Sequence, residues 1–420
     1  MGISMPQSSL RKLLALTGAA AALCSQAQTL KPPQAQAWID VATFSGLGLP
    51  AGGMAGASPM AMMGAMMGGG ASANSFGQTQ SGAAGRWVDV TLSTRANAQL
   101  AEAQQAVPAG FMSPALQLRS PSDGRAAPPD DDKVVEQPTE RPRGRLLLYW
   151  GCGATVRPGQ PKVLDMASAS AADLANFFAA RRATQRGAHS AAGRPVWPNP
   201  GDTRMVPAQA SLVGEHSFSG AGVPQGFRFQ IPAAQDLMPP LQVQSTDAAG
   251  ATELRWNAIS TARAYFAAGM GSRGDHEMVI WTSSELPDSG MGLVDYQTNP
   301  AVDRWLREKV LLSPGTTQCT VPKGVFSGEG SMLRVIAYGN ELNLAHPPRP
   351  ADPKADWAPL WALKVRVKSV ATVMPGMGEM PQMPAGGRDA APAGQPAPGG
   401  DDKPGDLMPK AGELLKGIFR

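Results

Sequence analysis

Alternation of apolar and polar residues over four to eight positions dominates this chain, the period of β-strands half buried in a sheet. It begins at Trp38-Ile39-Asp40-Val41, stops at Ser45, and resumes at Trp87-Val88-Asp89-Val90-Thr91-Leu92. The two W-(I/V)-D-V segments look alike, which fits neighbouring strands of one long hairpin and equally fits a chance match between short alternating strands. Residues 46–85 between them are mostly Gly, Ala, Ser and Met, and read as a loop. Further strands are predicted at 115–118, 145–150, 162–164, 216–219 and 227–231. Leu174, Phe177 and Phe178 share one side of a helix predicted over 171–181. Residues 121–144, rich in Pro and charge, predict a second solvated loop, and 185–207 predict irregular chain. Pro239-Pro240 then closes a β-rich domain over 36–238.

Seven short strands follow, at 241–244, 253–256, 264–268, 277–282, 318–321, 332–338 and 363–370. That number, with turn residues between, suits a sandwich of two sheets. Leu254-Arg255-Trp256-Asn257-Ala258-Ile259 leading to Ala262 and Tyr265, with Leu333-Arg334-Val335-Ile336-Ala337 further on, resembles the fibronectin type III and immunoglobulin-like families. The resemblance covers 240–370, within a unit set at 239–373. It implies a domain that binds proteins or sugars or acts as a spacer. Residues 299–312 are an insertion that reads as a helix, with Asn299 as cap, Pro300 first, and Val302, Trp305, Leu306 and Lys309 at helical spacing. The expected fold class is therefore mainly β: an irregular β-rich N-terminal domain with long loops, then an immunoglobulin/fibronectin-like sandwich with a short helical insertion.

Composition adds the unfolded share and the destination. With 48 Gly and 39 Pro in 420 residues, part of the chain is expected to stay unpacked, while 43% hydrophobic residues suffice for one or two cores. Arg11 and Lys12, the apolar run at 13–23, and Ser25-Gln26-Ala27 make an export signal over 1–27, cleaved after Ala27. At about 1.5 Å per residue the apolar run spans only half of a roughly 30 Å hydrocarbon core, so it is not read as a membrane anchor. Leu23 before Cys24 argues against lipoprotein processing. No later stretch is apolar enough to predict a transmembrane segment. The formal charge of +4 falls to about +2 once the signal is removed, too little for nucleic-acid binding.

Cleavage leaves Cys152 and Cys319, which predict either a disulfide or, for Cys319 beside Val321, a small core residue. The four histidines, His189, His216, His276 and His346, lack a second His or Cys at metal-ligand spacing. Asp275-His276-Glu277 is the densest polar triplet, but strand neighbours point to opposite faces. No nucleophile elbow, phosphate loop or zinc helix is present, and the expectation is a protein without enzymatic activity or cofactor. The alternative is copper: Met374, Met377, Met380 and Met383 recur every three residues in the Pro- and Gly-rich tail at 374–420, the repeat of a polyproline II helix, and soft thioethers select Cu(I). Residues 407–420 read as a short basic amphipathic helix that orders on a membrane surface or a partner. The sequence thus predicts an exported periplasmic binding or scaffolding protein whose partner is another envelope protein.

Overall fold

The computed structural model describes residues 31–46, 74–81, 83–112, 115–121, 144–183, 187–274, 276–326, 331–352 and 355–375. The export signal, most of both predicted loops, and the tail beyond Pro375 lie outside them. The fold is mainly β, and its centre is β1 (Ala35–Gly46). β1 pairs antiparallel with β2 (Gly85–Thr94), Asp40 opposite Asp89, so the two similar segments are neighbours in one ladder. Its other edge pairs in parallel with β17 (Trp361–Val373), Asp40 opposite Arg366. Buried on both faces, β1 carries an apolar run in place of clean alternation. Ala35, Ala37, Ile39 and Val41 enter the main core, while Ala42 and Phe44 join a second one.

From this centre the sheet grows both ways. Beyond β2 come β7 (Val196–Trp197), β4 (Ala115–Arg119), β3 (Glu102–Ala106), β8 (Gly214–Gly220) and β9 (Arg228–Ile231). Beyond β17 come β15 (Met332–Tyr338), β12 (Ala264–Ser272), β13 (Glu277–Thr282), β5 (Arg145–Trp150) and β6 (Lys162–Asp165). With β16 (Leu342–His346) on the edge of β17, the sheet has 14 strands. The division expected between 36–238 and 239–373 is not a division of this sheet. β1 pairs with β17 and β5 with β13, both in parallel, so the two stretches of sequence are joined along two ladders.

β10 (Val243–Ala248), β11 (Ala251–Trp256) and β14 (Gln318–Val321) form a separate three-stranded sheet. Its Leu254, Trp256, Cys319 and Val321 share a core with Tyr265, Val279, Trp281, Leu333 and Val335 of the large sheet. Tyr265 lies 5.7 Å from Trp256, and its hydroxyl accepts the Ile259 N–H at 2.8 Å. The large sheet also curls, because Phe227 stacks on Trp361 at 4.6 Å and brings the β9 end back over the start of β17. One apolar core therefore runs through both halves of the chain.

Among the described residues, three short α-helices sit on the outside of this frame. α1 (Gln78–Ser81) falls inside the predicted loop at 46–85. α2 (Ala171–Phe177) starts with a reciprocal cap between Ser170 and Asp173 and packs Phe177 against Leu148, Leu164 and Ile280. α3 (Asn299–Arg307) corrects the predicted cap: Thr298 holds that position, and Asn299 lies inside the helix. The Asn299 side chain bonds the Glu341 backbone instead, donating to its carbonyl at 3.0 Å and accepting its N–H at 2.9 Å. The helix also ends at Arg307, short of the predicted 312, with Lys309 turning at φ 58°. β3 and β16 were not predicted, and β7 lies within 185–207, expected as irregular chain. The text of β3, Glu-Ala-Gln-Gln-Ala, has strong helix formers, and only its pairing with β4 and β8 makes it a strand.

Candidate functional site

The face of β1, β2 and β17 turned away from the main core carries Asp40, Asp89, Arg366 and Lys368, because in-register pairing puts alternate residues of all three strands on one side. Arg366 grips Asp40 with two bonds, Nε to Oδ1 at 2.7 Å and Nη2 to Oδ2 at 2.5 Å. The Ala188 N–H adds a third at 2.9 Å to Oδ2. That loop comes so close that a Cβ on Gly187 would lie 2.0 Å from Arg366 Nη2. The Tyr296 ring covers both cations, its centre 4.3 Å from the Arg366 guanidinium carbon and 4.2 Å from Lys368 Nζ. Lys368 donates to Asp295 Oδ1 at 3.1 Å. Asp89 is held from above by residues 74–81: Gly77 N–H at 3.0 Å, Thr79 N–H at 3.2 Å and Thr79 Oγ1 at 2.5 Å.

Burial and charge act against each other across this face. Burial pushes the Asp89 carboxyl up to about 6, beyond what the bonds from Thr79 and Gly77 offset, and neighbouring Asp40 adds to the rise. Burial also lowers the Lys368 ammonium, with Asp295 partly countering it. For Arg366 burial works downward, but Asp40 outweighs it and raises the guanidinium above its usual value. Burial favours a neutral Asp295, yet Lys368, the Tyr296 N–H and Arg366 together hold that carboxyl below its ordinary range. The Tyr296 hydroxyl is buried without a hydrogen-bond partner among the described residues, and burial raises its pKa well above normal.

Among the described residues, neither Cys152, Cys319 nor His216 lies on this face. Cys152 and Cys319 form a disulfide, Cα atoms 5.3 Å apart, which ties the turn after β5 to β14. Beside it the Gly153 N–H donates to Thr320 O at 2.9 Å. Met374 follows β17 and is half-buried, while Met377, Met380 and Met383 lie outside the described residues. His216 is a core residue: Nδ1 meets Gln105 Nε2 at 3.1 Å, Nε2 meets Leu212 O at 2.7 Å, and the ring stacks on Phe229 at 5.3 Å. His276 is exposed, and Glu277 is paired with Arg145 and Arg273.

Two signals in the sequence mark the charged face. One is an Asp at the centre of each similar segment, among apolar neighbours. The other is Lys364-Val365-Arg366-Val367-Lys368, whose alternation looks like a solvated face although Arg366 and Lys368 are buried. Among the described residues no group of three or more His, Cys, Asp or Glu is placed to hold a metal, and no helix is long and apolar enough to cross a membrane. Compared with known proteins, the chain matches no family model, no curated protein and no solved structure.

Proposed function

We propose that this chain is an exported, non-enzymatic binding or scaffolding protein of the cell envelope, resident in the periplasm. The observation that carries the reading is the Cys152–Cys319 disulfide. Such bonds form and persist in oxidising compartments, the destination to which the signal at 1–27 would direct the chain. The strand order lends support to the fibronectin-like resemblance: β10, β11 and β14 face β13, β12, β15 and β17, with Trp256 and Tyr265 between the layers. Domains of that kind serve mostly as binding modules and spacers, though fold alone does not assign a role.

Native mass spectrometry of the protein isolated gently from its own envelope tests this. The expected result is a chain lacking residues 1–27, with Cys152 and Cys319 bonded, in a discrete complex with a second envelope protein. An intact N-terminus with free thiols overturns the export reading. Turnover of an envelope substrate by the purified chain overturns the non-enzymatic one. A bare monomer heavier by bound copper, with the excess lost when Met374, Met377, Met380 and Met383 are all changed to Ala, moves the assignment to copper binding.

A further inference from the structure

Three segments far apart in sequence meet on one outer surface: the loop at 283–292 after β13, the end of α3, and residues 181–182. The Glu285 N–H donates to Lys309 O at 2.9 Å, which sets the loop beside the helix end. Asp288, 1% exposed, fixes the loop from inside. Its Oδ1 accepts the Gly290 N–H at 2.7 Å, and its Oδ2 accepts from Arg181 Nη1 at 2.9 Å and from the Arg181 N–H at 3.3 Å. A Cβ on Gly292 would lie 2.1 Å from Arg181 O and 3.2 Å from Arg182 Cβ, so Arg182 stands against the Met291 end of the loop. Held in this way, the loop turns apolar side chains to solvent. Leu286 is 38% exposed and Met291 47%, two of the six large apolar residues left exposed among the described residues.

The charge around them has one sign to spare. Arg157 grips both oxygens of Glu285, Glu308 is shared by Arg181 and Arg304 at 3.6 and 3.8 Å, and Asp303 is taken by Arg263. Arg182, Arg307 and Lys309 are exposed, and among the described residues no ion pair or side-chain hydrogen bond holds their charged ends. We propose that this patch docks the protein on an anionic phospholipid surface, with Leu286 and Met291 entering the headgroup layer and Arg182, Arg307 and Lys309 meeting lipid phosphates. Loose cations around fixed apolar side chains suit a fluid interface, whose phosphates move to meet each charge while the acyl boundary accepts the apolar pair. An acidic protein surface offers carboxylates at fixed points, and matching them would cost each of these long side chains its freedom. With only about +2 on the mature chain, the attraction depends on where these cations sit. The docking rests on the envelope reading only for which membranes the protein meets.

Co-sedimentation of the full mature chain with vesicles of phosphatidylglycerol and phosphatidylcholine, and with phosphatidylcholine alone, tests this outside the cell, so it and the native complex can fail separately. Binding is expected to the anionic vesicles, to weaken as salt rises, and to be absent with phosphatidylcholine alone. Arg182→Gln, Arg307→Gln and Lys309→Gln together are expected to weaken it about hundredfold, at roughly fivefold per cation. Leu286→Gln with Met291→Gln is expected to weaken it about tenfold. All five positions are exposed, and urea midpoints matching the wild-type chain show that each variant keeps the fold. No binding to anionic vesicles overturns the proposal, as does binding that either variant leaves unchanged, the result if residues 407–420 alone made the attachment. Loss of the native complex by the cation variant, with anionic vesicles ignored by the wild-type chain, overturns it in favour of an acidic protein partner.

Discussion

Arg366 matters to the fold chiefly as the partner of Asp40. Both side chains are at most 4% exposed, so removing one strands the other in a place where a lone charge is costly. Arg366→Met is expected to cost about 3–5 kcal/mol in urea unfolding, and the double change Asp40→Leu with Arg366→Met to recover most of it, since two apolar side chains leave no buried charge unpaired and only the Ala188 N–H loses its acceptor. His216 makes a contrasting prediction in pH. Burial depresses its imidazole below the ordinary value of about 6.5, so its contribution is present above that value and lost as pH falls through the folded one. Asp89, being raised, contributes in the opposite direction across the same region, its share lost as pH rises through about 6. His216→Phe keeps the stack on Phe229 but leaves Gln105 and the Leu212 carbonyl without their partner. A loss of about 1–3 kcal/mol at pH 7.5 is expected, shrinking toward pH 5, as followed by urea midpoints at the two pH values.

At the scale of elements, the β1–β17 ladder sets the geometry of the charged face, and its far end depends on a glycine. Gly46 closes β1 at φ +75°, and a Cβ there would lie 2.1 Å from the Thr372 carbonyl oxygen. Gly46→Ala is expected to cost about 1–3 kcal/mol and to raise amide exchange first at the 370–373 end of β17. The helices show the same dependence on neighbours. α2 was legible in Leu174, Phe177 and Phe178 on one side, a pattern local in sequence, although it ends at Phe177, short of the predicted 181, and its start is fixed by the Ser170–Asp173 cap. α3 was legible in its Pro300, Val302 and Trp305, but not in the role of Asn299. That side chain bonds Glu341, 42 residues away, a distance over which no local rule operates.

For the whole molecule the decisive restraint is the disulfide, which joins residues separated by 167 positions and links the large sheet to the three-stranded one. Closing a loop of that length removes much of the freedom of the unfolded chain. The double change Cys152→Ser with Cys319→Ser, or reduction of the native protein, is expected to lower stability by about 5 kcal/mol on the chain-entropy account. Urea midpoints with and without reductant measure it. The same bond bears on the export proposal, since a chain held in a reducing compartment would carry two thiols in its place.

Local pattern by itself determined that this is a mainly β protein and where most of its strands lie; it showed that Trp38-Ile39-Asp40-Val41 resembles Trp87-Val88-Asp89-Val90 but left their pairing open. Those features follow from side chains alternating every two residues, a period that any short window contains. Tertiary structure alone decided that β1 also pairs with β17, some 320 residues on, and that strands from both halves of the chain share one sheet. It also decided that Asp40, Asp89, Arg366 and Lys368 are buried together. A charged residue in an alternating strand reads as facing water, and only a second layer laid across that face turns solvent into core. Here residues 74–81, the loop at 187–188, and the segment carrying Asp295 and Tyr296 supply that layer. Their contacts with the sheet span 10 to 148 positions, so the charge, visible in the text, acquired its meaning only when the chain folded over it.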